Sequence, residues 1–304
     1  MSTHLQRGLI TGALLLVAST CAAQDENLPI SRCAAGVHES ESHGTVAFPQ
    51  DSIHCPLLAD PKEPRSFVSV LRGAFKTVDD PSAPTTTIIS VGLGDTFGLV
   101  RWNGQRAGDG VQIDVVGAIF AQFDFNAPSK DLINADYTIG FPITFRTHGF
   151  STRVRVYHQS SHLGDEFLLR DAAIQRENLS YESIELLMSQ EIHALRVYAG
   201  AEQLFRREPT TVGASVFHGG AEFRSGHAGP VQMVAAVDVK STELHDWSPA
   251  ISGRAGIELV RSSASGHPAR LVTLMLELYN GPSPYGQFFQ DDISYAGFGI
   301  HFSL

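Results

Sequence analysis

The sequence predicts an all-β chain closed into a transmembrane antiparallel β-barrel of about 12 strands. Three observations carry that prediction. Stretches of about ten residues alternate apolar and polar side chains, the period-2 signature of strands with two unlike faces. The connections between them alternate between tight and long, and the strand number is even, as in outer-membrane barrels. Beyond the first twenty residues no run approaches the roughly 18 apolar residues that a spanning helix needs, although 43% of the 304 residues are hydrophobic and only 18% are charged. This composition is too apolar for a disordered chain. The formal net charge of -10 speaks against a nucleic-acid partner.

The chain begins with export features. Arg7 supplies a positive n-region, Leu9 to Ala18 a short apolar stretch, and Cys21-Ala22-Ala23 small residues for cleavage, so residues 1–23 read as a signal peptide. Residues 24–65 lack periodicity and read as an irregular N-terminal periplasmic segment. In an oxidising compartment its two cysteines, Cys33 and Cys55, form most simply one disulfide. Metal binding by the pair with His38, His43 and His54 is the alternative, without the short Cys-x-x-Cys spacing of most zinc sites. Residues 66–304 form the barrel.

Strands are expected at 66–76, 85–96, 111–125, 132–147, 150–161, 178–190, 193–206, 212–225, 230–241, 250–261, 269–280 and 293–304. In the fourth of these, Ile133, Ala135, Tyr137, Ile139, Phe141, Ile143 and Phe145 share one face, and Asn134, Asp136, Thr138, Thr144 and Arg146 the other. Thr147-His148-Gly149, Glu191-Ile192 and Gly226 to Gly229 are tight connections, whereas 161–177, 241–249 and 281–292 are long. With both chain ends in the periplasm, every tight turn falls on the periplasmic rim.

The last strand separates a membrane barrel from a soluble sandwich. Ala296, Phe298, Ile300, Phe302 and Leu304 alternate with Gly297, Gly299, His301 and Ser303 to the end of the sequence. This pattern, Ala296–Leu304, resembles the C-terminal signature read by the barrel-assembly machinery, with Leu where that signature ends in Phe or Trp. The polar faces carry both signs, for example Arg146, Arg153, Arg155 and Arg196 among Asp136, Glu185, Glu222 and Glu277. Such a set fills a narrow lumen with paired charges rather than lining a wide, single-sign pore.

Candidate chemistry lies at the end of the fifth strand. Val154, Val156, His158 and Ser160 share the lipid-facing row, and polar groups on that face are costly in proportion to their depth. At i, i+2 spacing two side chains stand about 7 Å apart at the Cα level, so an imidazole can take the proton of a serine hydroxyl. A third group orients the histidine in such arrangements. A hairpin register pairing 158 with 182 puts Glu182 on the same face. Glu166 in the following loop is the competing acid, and Asp165, Glu166 and Asp171 form a candidate calcium set through oxygen ligands.

His158-Gln159-Ser160 resembles the His-Gln-Ser element of outer-membrane phospholipase A, a twelve-stranded barrel family whose lipid-facing His and Ser hydrolyse acyl esters with calcium. Outer-membrane lipid A deacylases use a comparable His-x-Ser with a Glu partner. The chain departs from the phospholipase pattern in having Ser161 where Asn follows the serine. Leu58-Ala59-Asp60-Pro61 and the segment Tyr157 to Leu168 are similar to a family of bacterial envelope proteins defined only as a domain of unknown function, a resemblance that spans most of the chain and implies no activity.

Two functions are therefore expected of an integral protein of the bacterial outer membrane surrounded by outer-membrane lipids. One is a lipid-directed serine esterase of phospholipase or lipid A deacylase type. The other is a non-catalytic barrel with a structural, surface-binding or narrow-channel role. The sequence leaves open whether the protein is an enzyme.

Overall fold

A computed structural model describes residues 44–76, 85–106, 108–170, 176–225, 231–260 and 271–303. Among these residues twelve strands form one closed antiparallel ring: β2 (Ser66–Lys76), β3 (Thr86–Asn103), β4 (Gly110–Asp124), β5 (Leu132–Thr147), β6 (Phe150–Leu163), β7 (Leu179–Ile192), β8 (Leu195–Glu208), β9 (Ser215–Arg224), β10 (Val231–Thr242), β11 (Pro249–Val260), β12 (Leu271–Pro282) and β13 (Asp292–Ser303). Each pairs with its successor, and β13 returns to β2 with Ala296 opposite Arg72 and Ile300 opposite Val68. Closure leaves no long open edge to template aggregation. A four-residue strand, β1 (Gly44–Ala47), pairs with β3 at 100–103, beyond the stretch that β2 covers.

The twelve expected strands are all present, and the largest change in length has a local cause. β3 runs to Asn103 rather than ending near 96, because the register shifts between Gly98 and Val100. A bulge moves the side-chain alternation out of phase, so the period-2 pattern ends in the sequence before the strand does. Two of the tight turns use left-handed backbone: His148 and Gly149 have φ of 50° and 78°, and His193 has φ of 56°.

The two faces separate as the alternation requires. Ile139, Phe141, Ile143 and Phe145 of β5 are exposed on the outer wall, as are Leu276 and Leu278 of β12 and Phe298 of β13. Asn134, Asp136, Thr144 and Arg146 of the same β5 face inward and are buried. This is a soluble protein turned inside out, with the apolar surface presented to a hydrocarbon solvent.

The interior is filled from the N-terminal side. Of the segment expected to be irregular, residues 24–65, Gly44–Ala47 form the strand β1 and residues 48–65 are irregular; the latter enter the barrel, where Ile53, Leu57, Leu58, Ala59, Asp60, Glu63 and Arg65 are buried. Leu57 packs on Leu187 and Tyr198, and Leu58 on Val234 and Met275. Leu58 N donates to Glu222 Oε1 at 2.7 Å, and Arg254 Nη1 donates to Leu58 O at 2.8 Å. Arg153 binds Glu63 in bidentate fashion at 2.7 and 3.1 Å, Lys240 lies 3.2 Å from Asp60, and Arg101 Nη2 reaches Asp51 Oδ1 at 2.8 Å. The inward charges of the wall thus find partners on the plug as well as on neighbouring strands. Cys55, within the plug, is disulfide-bonded. Its expected partner Cys33, like residues 1–23, lies outside the described residues.

At the rim opposite Ser66 and Ser303 a loop closes over the plug. Gly286 N donates to Asp136 Oδ2 at 3.1 Å, and Gln287 Nε2 donates to Ser161 O at 2.8 Å. Lys62 and the Ser161 hydroxyl bond to the same Asp136 carboxylate. One buried acid therefore ties together plug, wall and loop.

Candidate functional site

The site follows from the pleat of β6. Arg153, Arg155, Tyr157, Gln159 and Ser161 point into the lumen and are buried, whereas Val154 and Val156 are exposed on the outer wall. His158 and Ser160 continue that outer row, as the alternation requires, and both are half-buried. In β7 the outer row is Glu182, Ile184, Leu186 and Met188, with Ser183 and Glu185 inside.

The ladder between the two strands sets His158 opposite Glu182 and Ser160 opposite Ser180. The expected register is the observed one. His158 Nδ1 lies 3.6 Å from Glu182 Oε1, an ion-pair separation longer than a hydrogen bond. The Nη1 of Arg206, a residue of β8 with left-handed backbone, lies 3.8 Å from the same oxygen. Arg206 follows Phe205, the β8 partner of Glu182, and lies in a bulge of β8 where the pairing shifts from Glu182–Phe205 to Ser180–Glu208. Across the other edge of β6, His158 pairs with Ile139 and Ser160 with Tyr137. Tyr137 meets His162 edge-on at 5.7 Å, and Arg176 Nη2 lies 3.1 Å from His162 Nδ1.

A carboxylate that closes from this 3.6 Å to hydrogen-bond distance of Nδ1 would favour the tautomer that leaves Nε2 as the base. Ser160 is the next residue along the same outer row. The structure therefore brings together His158 and Glu182 and places Ser160 beside them. Glu166 is not the acid that faces the histidine: it sits exposed, with Asp165, in the first turn of α1 (Asp165–Arg170) in the loop after β6. Carboxylates there are favoured by the helix dipole without any metal. Asp171, the third member of the expected calcium set, lies outside the described residues. Among the described residues no three His, Cys, Asp or Glu side chains gather to hold a metal ion, and calcium takes six to eight oxygens. Asp165 and Glu166 alone supply too few of these oxygens.

Sequence reasoning missed two features of this region. Arg206 reads as one of several charges near a strand end; it lies in a bulge of β8, where Arg206 and Arg207 stand against the single Tyr181 of β7, with left-handed backbone that the sequence does not signal. The plug carried a signal in Leu57-Leu58-Ala59, an apolar triplet set among the charges Asp60, Lys62, Glu63 and Arg65.

A closed barrel of twelve strands with an apolar outer wall, a filled and charge-paired interior, and a polar cluster on the outer wall defines an outer-membrane-type β-barrel. Within that class the chain belongs to the family described as Protein of unknown function (DUF1207), which matches residues 20–304. No curated protein matches it. In fold it is similar to outer membrane phospholipase A from Escherichia coli, with a TM-score of 0.52 and 10% identity over 80% of this chain and 93% of that one. It is also similar to the Salmonella typhi outer membrane phospholipase dimer with bound calcium, with a TM-score of 0.50 and 10% identity over 80% of this chain and 94% of that one. At this identity the likeness is one of fold.

Proposed function

We propose that the protein is exported to the bacterial outer membrane and hydrolyses acyl esters of membrane lipids on its outer wall. The observation that carries this reading is the His158–Glu182 pair beside Ser160, a polar cluster that continues the apolar outer rows Val154–Val156 and Ile184–Met188. Polar groups on that surface cost free energy, and a catalytic use is the physical reason to keep three together. In the reaction the Ser160 hydroxyl attacks the ester carbonyl while His158 Nε2 accepts its proton. The imidazolium, held by Glu182, then protonates the departing alcohol. Water, deprotonated by the same nitrogen, releases the fatty acid and restores the serine. Arg206 lends positive charge where a phosphorylated headgroup would rest. The phospholipases that share the fold support the reading through their named activity.

The filled interior argues against the narrow-channel alternative, since paired charges and Leu57 and Leu58 occupy the path that ions would need. Insertion through β13 as the strand presented to the barrel-assembly machinery accords with the outward row Ala296, Phe298, Ile300 and Phe302. The test is release of fatty acid from phospholipid or lipid A by the purified, refolded protein, with Ser160→Ala as a folded control. No release from either lipid, with and without calcium, overturns the esterase reading in favour of a passive barrel.

A further inference from the structure

The outer wall beside the candidate site is not smooth. A hollow of ≈400 Å³ is lined by Leu93 of β3, Gly117 and Ile119 of β4, Tyr137 and Ile139 of β5, and His158 of β6. The registers show how these residues line up. One row runs across the strands from Leu93 through Ile119 and Tyr137 to Ser160. The adjacent row runs from Gly117 through Ile139 to His158. The hollow therefore crosses β3 to β6 between two parallel rows, one ending at the candidate nucleophile and the other at its base. Three inter-strand steps of about 4.8 Å give it a length of about 14 Å.

Gly117 opens this hollow. It lies on the outer row of β4, where an added Cβ would meet only Thr138 O at 3.7 Å, an ordinary contact, and its φ is not in the left-handed region. Neither the backbone nor the packing of the wall demands a glycine there. The missing side chain leaves a low floor between its two cross-strand neighbours, the exposed Asp95 of β3 and Ile139 of β5, with Leu93 on the next row; Leu93 and Ile139 stand 63% and 54% exposed. Between Asp95 at its β3 end and His158 at its β6 end the groove is walled by Leu93, Ile119, Tyr137 and Ile139, which fits an acyl chain whose ester rests at the His158 end.

We propose that this hollow seats the acyl chain of the lipid cleaved at Ser160, and that Gly117 is the specificity-determining residue that sets how long or bulky a chain is accepted. The inference rests on the esterase reading above. Replacing Gly117 by Leu raises the floor midway along the groove, so a short chain still fits and a long one must bend out into the bilayer.

The experiment compares dioctanoyl, dilauroyl and dipalmitoyl phosphatidylcholine in mixed micelles as substrates of the wild type, Gly117→Ala and Gly117→Leu. Each variant is first shown to be folded by its heat-dependent gel mobility. For Gly117→Leu the expected result is a fall of roughly tenfold or more in kcat/KM on the dipalmitoyl lipid relative to that on the dioctanoyl lipid, with Gly117→Ala between. Equal chain-length profiles in all three proteins overturn the groove assignment and leave the esterase reading standing. A second measurement needs no turnover: Ser160→Ala in vesicles with a phosphatidylcholine carrying a diazirine in one acyl chain. Cross-links concentrated on β3 to β5 and reduced by Gly117→Leu support the groove even if hydrolysis is absent, in which case only the esterase reading falls. Cross-links spread evenly around the barrel overturn the groove.

Discussion

Glu182 stands directly across the β6–β7 ladder from His158, with its Oε1 3.6 Å from the imidazole Nδ1. Both side chains lie on the wall that faces lipid, where neither is held by the charge-paired interior. The proposed esterase activity rests on this pair, with Ser160 one step along the row.

The three residues are expected to fail as a unit. Ser160→Ala and His158→Asn should each reduce fatty-acid release by at least about 10³-fold, and the double variant should lose little more than either alone, because groups acting on one proton are non-additive. Glu182→Gln should cost less, roughly 10²-fold, by removing the charge that holds the imidazolium. Steady-state kinetics on one lipid reads all four proteins. Additive losses would argue that Ser160 and His158 do not share a proton.

The filled interior should block ion flow. Protein reconstituted in planar bilayers is expected to give no steady conductance, whereas a stable ohmic step from the intact chain would show that residues 48–65 do not fill the lumen.

Glu63→Gln should weaken the barrel. It removes one of the two carboxylates that hold Arg153, whose other partner, Glu185, lies 2.9 Å from Arg153 Nη2. Since Glu185 remains, the loss should be roughly 1–3 kcal/mol rather than the full cost of a broken buried pair. Urea unfolding in lipid vesicles, followed by tryptophan fluorescence, measures it. An unchanged midpoint would count against a plug anchored by this pair.

His54 of the plug is buried, and burial, followed by the guanidinium groups of Arg153, Arg196, Arg155 and Arg146, holds its imidazole well below the usual histidine range. The folded protein therefore keeps His54 neutral, while the unfolded chain takes up a proton near pH 6.5. Stability from this group is full above that pH and declines as pH falls below it, because the unfolded state then binds more protons. His54→Phe should flatten the pH dependence of the urea midpoint between about pH 6.5 and 5. An equal slope in wild type and variant would remove His54 as its source.

Two glycines should respond in opposite ways. A Cβ on Gly299 would come within 2.1 Å of Glu277 Oε1 and 2.4 Å of Ser69 Oγ, inside the network that also holds His301 and Arg254 and joins β12 to the closing strands. Gly299→Val should destabilise the barrel by roughly 1–3 kcal/mol through overpacking. Gly117→Ala, on the open outer wall, should leave the urea midpoint nearly unchanged. Similar losses at both positions would contradict this contrast.

The sequence by itself determined the strands, their faces and the ring they form, because the alternation of side chains is a property of the pleated backbone and reads locally. It also placed His158 and Ser160 on one face and Glu182 across from them, since in-phase rows of a hairpin allow few registers. It could not place residues 48–65, because their partners Arg153, Glu222, Lys240 and Arg254 are gathered from strands far apart in the chain. Only closure of the ring fixes the width of the lumen and so the segment that fills it. The same holds for the hollow at Gly117. A glycine in an alternating strand looks like a weak point until the neighbouring strands set Asp95 and Ile139 on either side of it and Leu93 on the next row, and the tertiary structure alone turns that absence of a side chain into a hollow that reaches His158.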